Sequence, residues 1–210
     1  MAENIQSKFI AIEGGEGSGK STLLRLLKEK AGDNMVFTRE PGGSPFGETI
    51  REVALKSPYA KDASAETMLC LMFAARYDHV DKIITPSLNS GKHVISDRFD
   101  ASSFTYQIYA QETPQIEKLF WSLRDRLTCV PDLYIYVDVE VEEGLRRVQN
   151  RNANTNENNH FDGRKVDFHK RIKQGYTEFF KKVPHVVIDA NRPLEDVKKD
   201  FYNIIDSTLN

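Results

Sequence analysis

The sequence predicts an α/β fold, with five parallel strands in one sheet and helices on both of its faces. Short apolar runs alternate with helical patterns along the chain, as expected for parallel strands joined by right-handed crossovers. A glycine-rich loop lies between the first strand and the first helix. The run LYIYVD is almost continuously apolar, which indicates a strand buried on both faces.

The five predicted strands are Lys8–Glu13, Met35–Thr38, His93–Ser96, Leu133–Asp138 and Val186–Asp189. A helical pattern follows the glycine-rich loop, and a long helix is expected from an N-cap at Ser64 towards Asn89, with Pro86 kinking it or ending it early. Further helices are predicted over Ala101–Gln111, Pro114–Leu127 (capped by Thr113), Val141–Arg151 and Leu194–Leu209. The segment Arg39–Gly47 contains two prolines and three glycines, which predicts a loop. Ligands are expected at the carboxyl ends of the strands.

The composition fits one domain over residues 1–210. The chain has 29 basic and 31 acidic residues, a net charge of −2 and 40% hydrophobic residues, which gives no reason to expect nucleic-acid binding. We find no apolar run long enough to span a membrane and no signal peptide. Cys70 and Cys129 lack metal-site spacing, and reduced thiols in a cytoplasmic protein are the simplest interpretation.

The segment Gly14–Ser21, here called the phosphate loop, matches the pattern G-x-x-x-x-G-K-[ST] in full. Its glycines allow backbone N–H groups to point into one concavity, which holds phosphate oxygens together with the next helix N-terminus. Lys20 can reach the β- and γ-phosphates, and Ser21 offers a hydroxyl to Mg²⁺. The loop therefore predicts binding of a nucleoside triphosphate with Mg²⁺.

Two further patterns narrow the class of protein. The sequence has no Asn-Lys-x-Asp motif, so it does not predict a GTP switch protein. Asp97 and Arg98 directly follow the predicted strand His93–Ser96, where they would place a carboxylate for a metal and a clamp for an anion at the ligand-binding edge. A local salt bridge in a turn is the alternative interpretation of this pair.

The chain resembles thymidylate kinases of the bacterial type, on motifs that occur in the order and spacing of that family. These motifs are FIAIEGGEGSGKST at 9–22, FTREPGG at 37–43, FAARYDHV at 73–80, VISDRFDASSFTYQ at 94–107, PDLYIYVDVEVEEGLRR at 131–147 and VDFHKRIKQGY at 166–176. The resemblance implies a P-loop NTPase fold of the nucleoside monophosphate kinase kind and transfer of the γ-phosphoryl of ATP to dTMP. It also implies a homodimer, with the helix from Ser64 to Asn89 as the expected interface.

The resemblance also assigns site residues. It implies catalytic roles for Glu16, Lys20, Asp97, Arg98 and Arg151. It implies ATP binding by Gly14, Gly15, Glu16, Gly17, Ser18, Gly19, Lys20, Ser21, Thr22 and Arg147, and Mg²⁺ binding by Ser21 and Asp97. It implies dTMP binding by Glu40, Pro41, Met72, Phe73, Arg76, Arg98, Ser102, Ser103, Tyr106 and Gln107. Some of these positions have a structural alternative: Arg76 as a surface cation, Glu16 as an exposed loop residue and Tyr106 as a core tyrosine.

The region after the fourth strand departs from the family's pattern. A mobile, basic lid is expected at about 147–165, because residues 144–182 hold ten Lys or Arg against four Asp or Glu; a solvated helix face explains that excess equally well. His160 stands where the family places an arginine, so either Arg151 or Arg164 takes its role or activity rises as His160 gains a proton.

A second departure concerns the base. Met72 stands where relatives place a phenylalanine that stacks on thymine, and Phe73 is one residue further along. The departures leave two alternatives open: another (deoxy)nucleoside monophosphate kinase of the same fold, or a non-catalytic nucleotide-binding module.

Overall fold

The computed structural model describes residues 6–152 and 166–209. Within that part of the chain, five parallel strands form one sheet in the order β2-β3-β1-β4-β5. The strands are β1 (Phe9–Glu13), β2 (Met35–Arg39), β3 (His93–Asp97), β4 (Leu133–Asp138) and β5 (His185–Asp189). The predicted parallel sheet is confirmed, with strand bounds that differ by one residue at most.

The α-helices of the described residues are α1 (Lys20–Lys30), α2 (Pro45–Lys56), α3 (Ala65–His79), α4 (Thr85–Asn89), α5 (Asp100–Ser103), α6 (Glu117–Arg124), α7 (Val141–Asn152), α8 (Val166–Phe180) and α9 (Leu194–Leu209). Ser64 caps α3, accepting a hydrogen bond from the Thr67 N–H at 3.1 Å, as the sequence predicts. Among the described residues, no helix is long and apolar enough to cross a membrane.

Two separate apolar cores cover the two faces of the sheet. Side chains alternate along β1, so Phe9 and Ala11 face one core while Ile10 and Ile12 face the other. The first core includes residues of α3, α6 and α8, and the second includes residues of α1 and α9. Helices on both faces are therefore confirmed, and the carboxyl ends of β1 and β3 are left for a site.

The segment predicted as a loop at Arg39–Gly47 is a loop only up to Ser44, because α2 begins at Pro45. The Ser44 hydroxyl accepts a hydrogen bond from the Gly47 N–H at 3.0 Å. Pro45 occupies the first helical position, where its missing N–H costs nothing. Pro41, Gly42 and Gly43 directly precede this signal, so the whole segment was predicted as a loop.

The long helix does not end at Pro86. A π-helical turn at Val80–Ile84 joins α3 to α4, and Pro86 is the second residue of α4. A wider turn relieves the contact between a proline ring and the preceding turn, so the chain remains helical to Asn89.

The predicted helix Ala101–Gln111 begins one residue earlier, as α5, and continues as a π-helical stretch over Phe104–Tyr109. The predicted helix Pro114–Leu127 begins with a 3₁₀ turn and ends at Arg124. Thr113 does not cap it, because its hydroxyl donates to the Gln107 carbonyl instead.

Candidate active site

The phosphate loop leaves the buried end of β1 and continues directly into α1. Gly17 and Gly19 have φ values of 69° and 92°, in the left-handed region that favours glycine. A Cβ on Gly17 would lie 2.1 Å from the carbonyl oxygen of Gly144 in α7. The loop therefore needs glycine there for two reasons, its backbone conformation and its close contact with α7.

Lys20 is buried at the start of α1, and its Nζ donates to the Gly14 carbonyl at 2.9 Å. Burial and the nearby Arg98 guanidinium lower the pKa of Lys20 to about 8, although Asp97, Glu16 and Glu13 oppose the shift. The ammonium group is thus held inside the phosphate loop, where an anionic ligand would stabilise its charge.

Arg147 connects the phosphate loop to the carboxyl end of β5. Its guanidinium donates to the Gly17 carbonyl at 3.4 Å and to the Ala190 carbonyl at 3.0 Å. Glu143, one helical turn earlier on α7, accepts from Arg147 Nε at 2.7 Å. Arg147 therefore lies at the edge of the loop, beside the predicted ATP phosphates.

A cavity of about 350 Å³ opens at the carboxyl ends of β1, β2 and β3. Side chains from five segments of the chain line it, and they include both apolar groups and several arginines. Its lining residues are Glu16, Ser21, Arg39, Glu40, Pro41, Arg51, Leu55, Met68, Met72, Arg76, Asp97, Arg98, Phe99, Ser102, Ser103, Tyr106 and Gln107.

Arg76 reaches this cavity from α3 and is held by a buried carboxylate. Its Nε donates to Glu40 Oε2 at 2.7 Å, and its Nη2 donates to the Ser103 hydroxyl at 3.0 Å. Glu40 Oε1 lies 3.0 Å from His79 Nδ1, and His79 Nε2 lies 2.6 Å from the Thr38 hydroxyl. Arg76 lines the cavity, and its Nη1 is buried without a hydrogen-bond partner among the described residues, so this nitrogen has donor capacity that the protein does not use.

Arg98 follows β3 in an unusual backbone conformation, with a φ of 69°. Such strain in a non-glycine residue persists only where neighbouring contacts hold it. The Arg98 N–H donates to the Ile12 carbonyl at 2.9 Å, and its Nη1 donates to the hydroxyls of Ser102 and Tyr176 at 3.0 and 2.9 Å. The Arg98 guanidinium is therefore fixed at the edge of the cavity.

Asp97 and Ser21 form the polar boundary between the phosphate loop and the cavity. Asp97 Oδ1 is buried without a hydrogen-bond partner among the described residues, while Ser21 is exposed at the start of α1. The described residues contain no group of three or more His, Cys, Asp or Glu side chains that could hold a metal ion. An orphaned carboxylate oxygen and a hydroxyl fit Mg²⁺, which usually takes one or two protein ligands together with phosphates and water.

Tyr106 contacts both the phosphate loop and Arg98. Its hydroxyl donates to Glu16 Oε1 at 3.4 Å, and the Arg98 guanidinium lies 5.4 Å from its ring centre. Burial raises the pKa of the Tyr106 hydroxyl, so this group stays a phenol and can donate. Glu16, Tyr106 and Arg98 therefore form one wall of the cavity.

Comparison with known proteins identifies the family of this chain. The family model for thymidylate kinase matches residues 12–201. The chain belongs to the thymidylate kinase family. A thymidylate kinase of Orientia tsutsugamushi is 39% identical over 217 aligned positions, covering 100% of this chain and 97% of that protein. One of Nitrosospira multiformis is 39% identical, covering 93% and 95%. The crystal structure of thymidylate kinase from Ehrlichia chaffeensis superposes with a TM-score of 0.73 at 30% identity, covering 95% of this chain and 98% of that one.

All but one of the acceptor-site residues that the resemblance to thymidylate kinases implies line this cavity; the exception is Phe73, and the predicted catalytic residue Arg151 does not line it either. Phe73 is only 1% exposed, and it packs in the core against Phe120 at 5.5 Å between ring centres. One residue is about 100° of helix rotation, so Met72 faces the cavity and Phe73 cannot. Arg151 is exposed in the last turn of α7 and is not among the lining residues.

The rest of the expected lid lies outside the described residues. Within the segment 147–165, the described part of the backbone ends at Asn152. His160 and Arg164 lie outside the described residues, so the statement about His160 stays a prediction.

Three residues that line the cavity were not predicted from the sequence. Arg51 and Leu55 line the cavity from α2, and Met68 lines it from α3. Arg51 also donates to the Pro41 carbonyl at 2.8 Å. The pair Ser44-Pro45 is an N-cap followed by a first helical proline, and it would have predicted the start of α2.

Proposed function

We propose that this protein transfers the γ-phosphoryl group of ATP to dTMP, with Mg²⁺, giving ADP and dTDP. The observation that carries the proposal is the shared cavity. The phosphate loop contributes Glu16 and Ser21 to it, and separate elements contribute Arg51, Arg76 and Arg98. A donor loop and an acceptor pocket that share one cavity suit transfer between two bound nucleotides.

The donor phosphates would be held by the phosphate loop. Its backbone N–H groups and the N-terminus of α1 favour phosphate oxygens. We infer that Lys20 Nζ leaves the Gly14 carbonyl for the β- and γ-phosphates, since their charge restores the stabilisation that burial removes from the ammonium. Thr22 and Arg147 border the same loop, Arg147 through its bond to Gly17.

Ser21 and Asp97 are the residues that would hold Mg²⁺. When bound, the ion would neutralise charge on the phosphates and help to align them. The Asp97 Oδ1 atom, which has no partner among the described residues, is the chain's main contribution to this site.

The acceptor nucleotide would occupy the cavity. Arg98 and Arg51 suit its phosphate, because a guanidinium matches phosphate oxygens in charge and shape. Arg76 Nη1 suits a base carbonyl, so a 4-oxo pyrimidine would satisfy it and the 4-amino group of cytosine would not. Tyr106 and Glu16 suit the deoxyribose, with Glu16 accepting from the 3′-hydroxyl.

The remaining lining residues complete the acceptor pocket. Met72 would pad one face of the base, while Ser102, Ser103 and Gln107 supply polar groups around base and sugar. Glu40 acts by holding Arg76, with Pro41 as its neighbour in the wall.

These residues would act mainly by positioning the two nucleotides and by compensating negative charge on the transferring group. An oxygen of the dTMP phosphate attacks the γ-phosphorus of ATP, and the bond from that phosphorus to the ADP oxygen breaks. Phosphoryl transfer needs the two groups in line and compensation of charge on the transferring group. Lys20 and Arg98 supply that compensation from the donor and acceptor sides.

Three further proposals rest on the sequence. We infer one domain over residues 1–210 with a basic lid at 147–165, in which Arg151 contacts the transferring group. We infer a homodimer packed through α3, where the small side chains Cys70 and Ala74 are exposed and would allow close helix contact. A cytoplasmic location fits both unpaired thiols.

Steady-state phosphorylation tests the function. The enzyme would be given ATP and Mg²⁺ with dTMP, dUMP, dCMP, dGMP, AMP or thymidine. We expect dTMP to be preferred, dUMP to be second, and dCMP to be poor because it leaves Arg76 Nη1 unpaired. ATP binding without turnover of any monophosphate would overturn the proposal and favour a non-catalytic nucleotide-binding module.

A further inference from the structure

The carboxylate of Glu13 lies directly beneath the active site but does not line the cavity. Glu13 is the last residue of β1 and is completely buried. Burial raises its pKa, while the Arg98 guanidinium opposes that shift. A buried carboxylate is costly unless donors surround it, so its partners indicate what it holds in place.

All of the donors that surround Glu13 belong to the acceptor side of the site or to α8. Its Oε1 accepts from the Phe99 N–H at 2.7 Å and from the Ser102 N–H at 3.3 Å. Its Oε2 accepts from the Ser102 hydroxyl at 2.7 Å and from the Tyr176 hydroxyl at 3.0 Å. Phe99 and Ser102 follow the strained Arg98 backbone in sequence, and these hydrogen bonds hold both of them to the end of β1.

The same two hydroxyls also accept from Arg98. Arg98 Nη1 donates to Ser102 Oγ at 3.0 Å and to Tyr176 Oη at 2.9 Å. Each hydroxyl therefore accepts a hydrogen bond from the guanidinium and donates one to the carboxylate. Glu13 and Arg98 form an ion pair bridged by two hydroxyls, and the Nη1 end of Arg98 is the anchored end.

Tyr176 extends this network to the phosphate loop. Its hydroxyl also lies 3.4 Å from the Gly14 carbonyl, the same oxygen that accepts from Lys20 Nζ. The Tyr176 ring is fully buried and packs against Tyr136 at 5.0 Å and Phe180 at 5.9 Å between ring centres. One phenol oxygen thus lies next to both the donor loop and the acceptor arginine.

We propose that Glu13 and Tyr176 are positioning residues that hold Arg98 against the phosphate loop in the geometry that phosphoryl transfer needs. This inference rests on the proposed function, because it concerns the alignment of Arg98 with the transferring group. Neither residue is among those that line the cavity, so both act through Arg98 and Gly14. Packing alone would need the Tyr176 ring and would not need its hydroxyl.

The test is the Tyr176→Phe variant, which removes the hydroxyl and keeps the stacked ring. We expect kcat to fall about tenfold or more and KM for dTMP to rise, since a lost bond to a charged group and a misplaced guanidinium each cost about that much. The Kd for ATP, measured without dTMP, should change by less than about threefold, because the backbone of the phosphate loop is retained.

Tyr134→Phe is the matched control. Tyr134 is equally buried on β4 and also donates its hydroxyl to a buried carboxylate, Asp100, at 2.5 Å, but neither residue lines the cavity. We expect this variant to lose stability and to keep its kinetic constants. Equal losses of kcat in both tyrosine variants, or an unchanged kcat in Tyr176→Phe, would overturn the inference.

A second variant keeps the test decisive if Tyr176→Phe does not fold. Glu13→Gln keeps the size of the side chain but replaces the carboxylate by a neutral amide, so the two hydroxyls lose their charged acceptor. It should show the same split between a lower kcat and a nearly unchanged Kd for ATP, and a wild-type kcat would contradict the inference. Turnover of dTMP by the unaltered enzyme tests the proposed function separately, so the two failures are distinguishable.

Discussion

The donor and acceptor halves of the site are built in different ways. The phosphate loop is one continuous segment, and it offers mainly backbone N–H groups and one lysine to a ligand. The acceptor half takes cations from α2, α3 and the end of β3, and it depends on buried carboxylates that hold two of those cations in place. Glu40 holds Arg76, and Glu13 holds Arg98 through two hydroxyls.

This difference determines how each half can fail. A backbone loop is disabled by a change within its own segment, whereas a distributed pocket is disabled by removing a buried partner far away in the sequence. The predictions below test that distinction, beginning with the largest expected effect.

Lys20→Ala should have the largest effect on turnover. It removes the one side-chain cation that the phosphate loop supplies to the transferring group, and we expect kcat to fall by roughly 10² or more, about 3 kcal/mol of transition-state stabilisation. Steady-state kinetics with dTMP would measure it. Lys28→Ala, at an exposed position of the same helix, is the control and should leave kcat unchanged. Full turnover in Lys20→Ala would show that the loop does not work as proposed.

Glu40→Gln should affect both folding and dTMP binding. Arg76 is only 3% exposed, and losing the partner of a buried charge typically costs about 3 kcal/mol. We expect a loss of that size in the free energy of unfolding by urea, together with a higher KM for dTMP. Glu29→Gln breaks the exposed pair with Arg25 and should cost less than about 1 kcal/mol. Equal losses of unfolding free energy in the two variants would mean that Glu40 does not stabilise the acceptor half.

The same distinction explains what the sequence could predict. Phosphate-loop residues are adjacent in the chain, so their spacing is sufficient to predict their function. The parallel sheet was predictable because apolar strands and helical patterns alternate clearly. The acceptor pocket needed a family resemblance, because residues as far apart as Glu40 and Arg76 meet only after folding.

What the sequence missed depends on local geometry or on long-range contact. The start of α2 at Pro45 was hidden among turn residues, and Arg51 was missed with it. Phe73 and Met72 differ only in which face of α3 they occupy, which periodicity alone did not decide. The contact of Glu13 with Tyr176 joins positions 163 residues apart, and no pattern in one sequence marks such a pair.

The pH dependence of ATP capture should reveal the buried lysine. Burial and Arg98 lower the pKa of Lys20 to about 8, and the phosphates need the protonated form. We therefore expect kcat/KM for ATP to be full below this pH and to fall by up to about tenfold per pH unit above it. Unfolding does not explain such a fall through this group, because an unfolded chain keeps the lysine proton to higher pH and stability then rises with pH.

Lys20→Arg separates this explanation from other titrations. Its guanidinium stays charged throughout the range, so the decrease above pH 8 should disappear, whatever the absolute rate of the variant. A decrease that persists at the same pH would assign the titration to another group.

Met72→Phe should have the smallest effect, because it changes the shape of the acceptor half and none of its charges. A pocket gains only about 1–3 kcal/mol from one methyl group, and a polarizable methionine sulfur can itself pack against a ring face. We expect the ratio of kcat/KM for dTMP over dUMP to rise by less than about tenfold, measured by competition between the two substrates. Met72→Leu removes the sulfur without adding a ring, so it separates stacking from volume. A change of a hundredfold in Met72→Phe would mean that base selectivity resides in this wall of the cavity rather than in Arg76 and its buried partner.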